Sequence, residues 1–317
     1  MISLKWKILS AIWGFKMKIT ILGCHSATPR TNTNPTSQVL EIKGHTFLID
    51  CGEGTQVELR RNKIKFSRIR HIFISHLHGD HYYGLVGLIS TFRLLTRETE
   101  LHVYAPKGLK EVISLQMKLA NSWTNYPLIF HELTSKSSEL IFEDDQVEVY
   151  TIPLNHRIYT NGFLFKEKPN ERNIDAKAAK EHKINYAYFR KLKQGADVTN
   201  EEGKLIKNEL VTKDPKPSKS YAFCSDTAYD EHIASIVSSV DALYHESTFL
   251  EKHQKLCEPT KHSSAKEAAT IAMLANVKLL ILGHFSTRYD DLNPFKSEAQ
   301  TIFENTELAA DGKVFEI

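Results

Sequence analysis

Short runs rich in β-branched and apolar residues, each closed by glycine, proline or a polar cluster, alternate along the chain with longer stretches whose apolar positions recur at helical spacing. In the first half this pattern predicts strands over residues 19–22, 37–42, 45–50, 70–75 and 101–104, and helices over 54–62, 83–95 and 107–121. In the second half it predicts strands near 146–153, 162–165, 220–225, 242–245 and 279–283. A helix follows over 264–275, with Ser263 and Ser264 placed to cap its start. Strands precede and follow helices in both halves, and no internal repeat is visible. The expected fold class is therefore mixed α/β (α+β), two sheets packed face to face with helices outside.

Two segments depart from this rhythm. Residues 166–219 carry fourteen Lys and Arg against nine Asp and Glu with few buried-strand patterns, which reads as either a functional arm or a linker. Inside it Tyr186, Tyr188, Phe189, Arg190, Lys191 and Lys193 combine aromatic and basic side chains. They suit a solvated insertion pinned by its aromatics, or an arm that grips phosphates and stacks bases. Residues 1–16 (MISLKWKILSAIWGFK) are basic and apolar. Their uncharged run is far short of the roughly 20 residues of a membrane span, and no small-residue cleavage site follows. They read as an N-terminal extension without stable structure, ahead of a domain that begins at Met17.

Composition narrows the class without naming it. In 317 residues, 41% are hydrophobic and 25% charged, and Gly and Pro are sparse at 14 and 10, so collagen-like, low-complexity and disordered readings fail. A formal charge of +3 is too small to name an anionic partner. Cys24, Cys51, Cys224 and Cys257 are far apart with no CxxC pairing, which disfavours a disulfide framework and a thiolate zinc site and suits a reducing cytoplasm.

The candidate chemistry is concentrated at His76, His78, Asp80 and His81, an HxHxDH cluster directly after an apolar run. So many metal-competent side chains in so few residues cannot share one face of a strand, so the chain must turn there, with Gly79 expected to supply the turn. The arrangement recurs where other apolar strands finish at or near His156, Asp226 and His284, and a single site commonly draws its ligands from the ends of several strands along one edge. Five histidines and two aspartates exceed the needs of one tetrahedral zinc and match two metals sharing a carboxylate. Imidazole and carboxylate without thiolate suit Zn2+ first, with Mn2+ possible at an oxygen-richer position. Such a pair activates water for hydrolysis. Gly23, Gly52 and Gly54 form no GxGxxG motif, so nothing points to a redox cofactor.

These residues resemble the metallo-β-lactamase superfamily, and DCGEGTQ (50–56), SHLHGDH (75–81), NHRI (155–158), SDT (225–227), HESTF (245–249), HSS (262–264) and HFSTRY (284–289) resemble the ribonuclease Z family within it. The resemblance runs from about Met17 to the C-terminus. It implies a four-layer αβ/βα sandwich with an inserted flexible arm at about 166–219. It further implies a zinc-dependent endoribonuclease that removes the 3′ trailer from precursor tRNA by metal-hydroxide attack, leaving a 3′ hydroxyl on the tRNA. His76, His78 and His156 would hold one zinc, Asp80, His81 and His284 the other, with Asp226 bridging. Asp80 would also serve as general base, His262 would protonate the leaving 3′ oxygen, and Glu246 would orient His262. Arg288 and Tyr289 would meet the terminal nucleotide, and Arg190, Lys191 and Lys193 in the arm would grip the tRNA. The family also implies a cytoplasmic homodimer, with no membrane partner, in which one subunit's arm clamps tRNA cut by the other. The chain departs from the family in the arm, where KINYAYFR (183–190) replaces a glycine-proline run. It departs again at GCHSATP (23–29), where Cys24 and His25 stand in place of small residues and His25 reads as a loop histidine.

Two other classes fit less of the chain. Another hydrolase of the superfamily, a small phosphodiesterase or arylsulfatase-like enzyme, would not need the basic segment. A non-catalytic tRNA-binding subunit would have lost ligands, whereas all seven are present.

Overall fold

A computed structural model describes residues 17–28 and 30–317; the N-terminal extension expected over 1–16 lies outside the described residues. The described residues divide into two compact units, one formed by those from 17 to 166 together with 219–317, the other by Glu167–Ser218.

In the larger unit, β1 (Lys18–Gly23), β2 (Ser37–Ile42), β3 (His45–Ile49), β4 (Ile69–Phe73), β5 (Leu101–Pro106) and β6 (Leu128–Leu133) join a C-terminal strand in one seven-stranded sheet. β7 (Leu140–Glu143), β8 (Val147–Pro153) and β9 (Asn161–Glu167) belong to a second. The smaller unit contributes only the two-residue strands β10 (Asn173–Ile174), β11 (Val198–Thr199), β12 (Leu205–Ile206) and β13 (Thr212–Lys213), paired β10 with β13 and β11 with β12. The second sheet resumes with β14 (Ser220–Cys224), β15 (Ala242–Glu246), β16 (Leu280–Gly283) and β17 (Thr306–Leu308), and β18 (Val314–Glu316) closes the first beside β1. The orders are β18-β1-β2-β3-β4-β5-β6 and β17-β16-β15-β14-β9-β8-β7, parallel from β3 to β6 and from β14 to β17. Parallel strands need crossovers, and helices Leu85–Leu94, Leu109–Leu119 and Ala265–Leu274 lie within those crossovers.

The two sheets face each other across an aromatic core. Phe47 and Phe73 from the first meet Phe163 and Phe165 from the second, with ring centroids 5.3 to 5.6 Å apart. A second core lies between the first sheet and its helices, where Leu48, Ile72 and Val103 join Leu88, Phe92 and Ile113. The central strands are thus buried on both faces, which is why they read as continuous apolar runs rather than alternating ones. The expectation of two packed sheets with helices outside holds. At 264–275 the helix forms over Ala265–Leu274, and Ser264 and Glu267 make a reciprocal capping box.

Next to the aromatic core, His45, His71, His102 and His131 form a row across β3 to β6, His71 stacking on His102 at 5.1 Å and meeting Phe142 at 4.7 Å. Burial, then the neighbouring imidazoles of His102, His45 and His131, push His71 down to about 3. Below about 6.5 the unfolded chain takes up a proton that the folded chain refuses, so this histidine's contribution to stability is lost as pH falls from about 6.5 toward 3. Urea unfolding across that window should show a shallower loss of stability for His71→Gln than for the parent; identical slopes would refute the assignment.

The smaller unit has its own modest core of Leu192, Val198, Ile206 and Val211. Several of its cations are paired with its own acids: Lys207 with Asp197, Lys213 with Asp175, Arg172 with Asp214 and Lys193 with Glu171. On helix Phe189–Lys193, Arg190, Lys191 and Lys193 are exposed, Lys191 above the Tyr188 ring, and Tyr186 nearby is 82% exposed.

Candidate metal centre

Four strand ends converge. β4 stops at Phe73, β8 at Pro153, β14 at Cys224 and β16 at Gly283, and the next few residues deliver His76, His156, Asp226 and His284. The sheets are tied together at this edge by Asn161 N–H donating to the Ser75 carbonyl at 3.1 Å and Ser225 Oγ donating to Ser75 Oγ at 3.0 Å.

The sharp turn expected at Gly79 has a different construction. His78 stays extended at φ −75°, ψ 145°, and a one-turn helix starts at Gly79, whose own φ is not positive. Leaving the extended state at Gly79 is what swings Asp80 and His81 back toward His76. Glycine is required instead at Gly52 and Gly84, where the DCGEG loop lies backbone against backbone on this helix. A Cβ on Gly52 would come 2.5 Å from the Asp80 carbonyl oxygen, and one on Gly84 2.1 Å from that of Gly52. Cys51 N–H donates to the His81 carbonyl at 2.8 Å and Gly84 N–H to that of Cys51 at 2.9 Å.

The seven side chains form two clusters joined through one carboxylate. In the first, His78 Nδ1 lies 3.0 Å from His76 Nε2 and 3.3 Å from His156 Nε2, and Asp226 Oδ2 is 3.5 and 3.9 Å from those two nitrogens. In the second, His81 Nε2 and His284 Nε2 are 3.4 and 3.6 Å from Asp80 Oδ2, and 3.4 and 3.2 Å from Asp226 Oδ1. Asp226 therefore turns one oxygen to each cluster. Tetrahedral ligands about 2.0–2.1 Å from a zinc ion stand about 3.4 Å apart, close to these spacings. His81 Nε2 and His284 Nε2 are buried without a hydrogen-bond partner, and orphaned imidazole nitrogens converging on carboxylates are what a cation would satisfy. The residues fit a pair of divalent cations.

The ring nitrogens facing away from the clusters are held in turn. Asp50, fully buried, accepts from His81 Nδ1 at 2.7 Å, Ser75 N at 2.7 Å and Ser75 Oγ at 2.8 Å. His156 Nδ1 donates to the Lys261 carbonyl at 2.8 Å, and His284 Nδ1 meets Thr248 Oγ1 at 2.9 Å. These bonds fix which nitrogen of each ring faces inward. Asp50 and His284 both have left-handed backbones, φ 54° and 60°, a conformation disfavoured for non-glycine residues and held only where surrounding contacts demand it. Asp50, Thr248 and the Lys261 carbonyl escaped the reading of site residues. Only Asp50 carried a signal, standing at a strand end in DCGEG. Losing such a partner typically costs 10–100-fold in metal affinity, so Asp50→Asn should weaken metal binding by about that factor in a competitive chelator titration. An unchanged affinity would make Asp50 a purely structural residue.

His262 completes the site. Its Nδ1 is 2.9 Å from Glu246 Oε1, and its ring centroid lies 5.2 Å from His156 and 5.3 Å from His284. Glu246 is fully buried and also accepts from Thr227 N, Ser263 N, Thr248 N and Thr248 Oγ1. Burial lowers the His262 pKa, but the Glu246 carboxylate outweighs it and the imidazole is pushed up to about 9. Burial likewise opposes ionisation of Asp80 and Asp226, yet the facing histidines hold both carboxyls well below the usual range. Asp80 and Asp226 are thus carboxylates within the clusters, and His262 beside them is an imidazolium at neutral pH.

Arg288 is exposed. Tyr289 is 6% exposed, with its hydroxyl accepting from Leu250 N at 3.1 Å and 2.5 Å from His253 Nδ1. Arg157, part of NHRI but given no role there, is exposed beside His156 and close enough to bear electrostatically on His78 and His262. Among the described residues, no helix is long and apolar enough to cross a membrane.

The chain is 45% identical to Ribonuclease Z of Bacteroides thetaiotaomicron over 93% of its length and 94% of that protein's. It superposes on the crystal structure of the short form of human tRNase Z with a TM-score of 0.69 at 26% identity, covering 94% of this chain and 98% of that one. The metallo-β-lactamase fold protein YhfI of Bacillus subtilis matches at TM-score 0.68 and 16% identity over 95% and 99% of the two chains, a likeness of fold. The family model of Anti-Pycsar protein Apyc1 matches residues 17–172, a span that includes HxHxDH and His156 but stops before Asp226, His262 and His284.

Proposed function

The chain belongs to the ribonuclease Z family, and on that premise we propose that it is an endoribonuclease that removes the 3′ trailer from precursor tRNA, cutting the phosphodiester 3′ to the discriminator nucleotide. The observation that carries this reading is the pair of ligand clusters sharing the two oxygens of Asp226, with the His262–Glu246 pair beside them.

His76, His78, His156 and Asp226 would hold one divalent cation, and Asp80, His81, His284 and Asp226 the other. Zn2+ is favoured by the nitrogen-rich donor set and Mn2+ is the alternative. Such a pair lowers the pKa of water and offsets charge on a scissile phosphate. The chain's own groups then handle the protons. Asp80, ionised and facing the clusters, orients the attacking water and takes its proton. As the bond from phosphorus to the 3′ oxygen breaks, His262 donates its Nε2 proton to that oxygen, leaving a 3′ hydroxyl on the tRNA and a 5′ phosphate on the trailer. Glu246 holds Nδ1 of His262 so that Nε2 is the nitrogen free to donate. Arg157 and Arg288 supply phosphate contacts at the exposed rim, and Tyr289 supports that rim from within through Leu250 and His253.

Incubation with labelled precursor tRNA followed by end mapping tests the reading. A cut directly after the discriminator is expected; hydrolysis of a small phosphodiester without tRNA cleavage would favour another hydrolase of the superfamily. Replacing His78 and His284 together should lower bound metal by about two equivalents per chain relative to the parent, and a loss of one or none would reject a paired site.

The unit Glu167–Ser218 is the proposed tRNA-gripping arm, a reading supported by its exposed Tyr186, Arg190 and Lys191. Neutralising Arg190, Lys191 and Lys193 should weaken tRNA binding and remove about 0.7 to 0.9 per lost phosphate contact from the logarithmic salt slope. Unchanged affinity and slope would mark the segment as a solvated insertion. We assign the active form as a homodimer in which the arm of one subunit serves the metal centre of the other. Mixing Asp80→Ala chains with the arm triple variant at tRNA concentrations below saturation should then give more cleavage than the two variants measured apart. A cytoplasmic setting is supported by four cysteines that are all free thiols.

A further inference from the structure

We propose that Cys24, His25 and Asp311 form an additional cation site, separate from the paired clusters, that takes a divalent first-row transition ion, Zn2+ above others. Cys24 Sγ lies 3.8 Å from His25 Nδ1 and 3.7 Å from Asp311 Oδ1, and one donor atom from each of the three lies within 4.8 Å of the other two. A tetrahedral ion bound at about 2.3 Å to sulfur and 2.0–2.1 Å to nitrogen or oxygen needs such donors about 3.5 Å apart. The two sulfur separations are within a few tenths of an ångström of that spacing, and side chains closing on an ion would complete three corners of the tetrahedron, leaving the fourth for water.

Three observations favour a cation over a plain thiol–carboxylate contact. The first is orientation: Asp311 Oδ2 accepts from Asn34 N at 2.8 Å and Asn34 Nδ2 at 2.9 Å, which pins the carboxylate with Oδ1 toward Cys24. The second is charge. Cys24 is fully buried and His25 is 8% exposed; burial, then repulsion from Asp311 and the hydrogen bond to it, keep the thiol neutral while no cation is bound, so two donors able to carry negative charge lie together inside the protein. The protein cation that acts on Cys24 is Lys313, but its Nζ donates to Glu307 and to the Leu308 carbonyl. A bound dication would discharge thiolate and carboxylate together, the Cys24 proton leaving to solvent as the sulfur–metal bond forms. The third is position: Asp311, one wall of the site, also lines with Asn34 a 310 Å³ cleft that contains Glu58 and Arg61, so the Asp311 side of the site adjoins that cleft.

The donor set of one sulfur, one nitrogen and one oxygen selects a borderline ion and rejects Mg2+ and Ca2+. An ion here would brace the metal centre, because Phe285 N–H donates to the Cys24 carbonyl and Ser26 N–H to that of Phe285, both at 3.2 Å, joining this loop to the residue that follows His284.

Cobalt substitution of the full chain tests the site independently of nuclease activity. Sulfur ligation to Co2+ gives a near-ultraviolet charge-transfer band that the histidine and aspartate clusters, holding no sulfur, cannot produce. The parent protein should show that band, and Cys24→Ser should abolish it while the visible bands of the other clusters persist. His25→Ala, which keeps the thiol, should weaken the affinity read from the band by about tenfold or more. A parent protein saturated with Co2+ that shows no such band, a band undiminished in Cys24→Ser, or an affinity unchanged in His25→Ala would each overturn the proposal.

Discussion

Asp80→Ala should reduce the rate of precursor tRNA cleavage by several orders of magnitude while leaving tRNA affinity nearly unchanged. Asp80 Oδ2 faces both His81 Nε2 and His284 Nε2, so its removal takes away a ligand of the second cluster and, in the proposed mechanism, the acceptor of the attacking water's proton. Binding is spared because phosphate contacts elsewhere supply most of the affinity for a polyanion. Single-turnover cleavage at saturating enzyme, beside a binding titration at the same salt, separates the two. A variant that cuts at the parental rate once metal is saturating would remove Asp80 from the mechanism.

His262→Ala should slow the chemical step by about 10²- to 10⁴-fold, the range attributed to a positioned proton donor, without loss of bound metal. The imidazole adjoins both clusters yet directs Nδ1 to Glu246, and Glu246 is fixed by four further donors from Thr227, Thr248 and Ser263. Glu246→Gln keeps an acceptor for His262 but removes the charge that sustains the imidazolium, so its defect should be smaller. Because the two act as a unit, the double variant should be little worse than His262→Ala alone. Additive defects would mean that Glu246 acts through the loop rather than through the imidazole. A metal content that falls with His262→Ala would instead make His262 a ligand, a role its nearness to Asp226 and His284 would allow.

How far the sequence could be read follows from the range of the interactions involved. Strands β1 to β5 stood out because they are largely buried and rich in branched or aromatic side chains, whereas β6, β7, β17 and β18 did not. Those four are short or lie at sheet edges, where half-exposed patterns such as that of Leu140–Glu143 give little periodic signal. The ligands were legible because four apolar runs each finish in or near a His or Asp, a local pattern. Their division into two clusters came only with the family resemblance, and which oxygen of Asp226 faces which ring was set by the tertiary structure. The turn after β4 was expected from glycine conformational freedom and is instead a helix start, while the glycines under real steric demand, Gly52 and Gly84, are explained only by the other loop pressed against them.

The sequence by itself determined the layered α/β class, the residues able to bind metal, the basic insertion and the family. Those properties are written in composition and short-range pattern, which survive without knowledge of what lies opposite. The tertiary structure alone decided the pairing of His81 with Asp50 and the four further donors that fix Glu246, and it brought Asp311 to Cys24 across 287 positions of chain. Cysteine spacing gave no sign of that last contact, because the partners that complete a site are chosen by the packing of distant loops, and sequence separation carries no information about it.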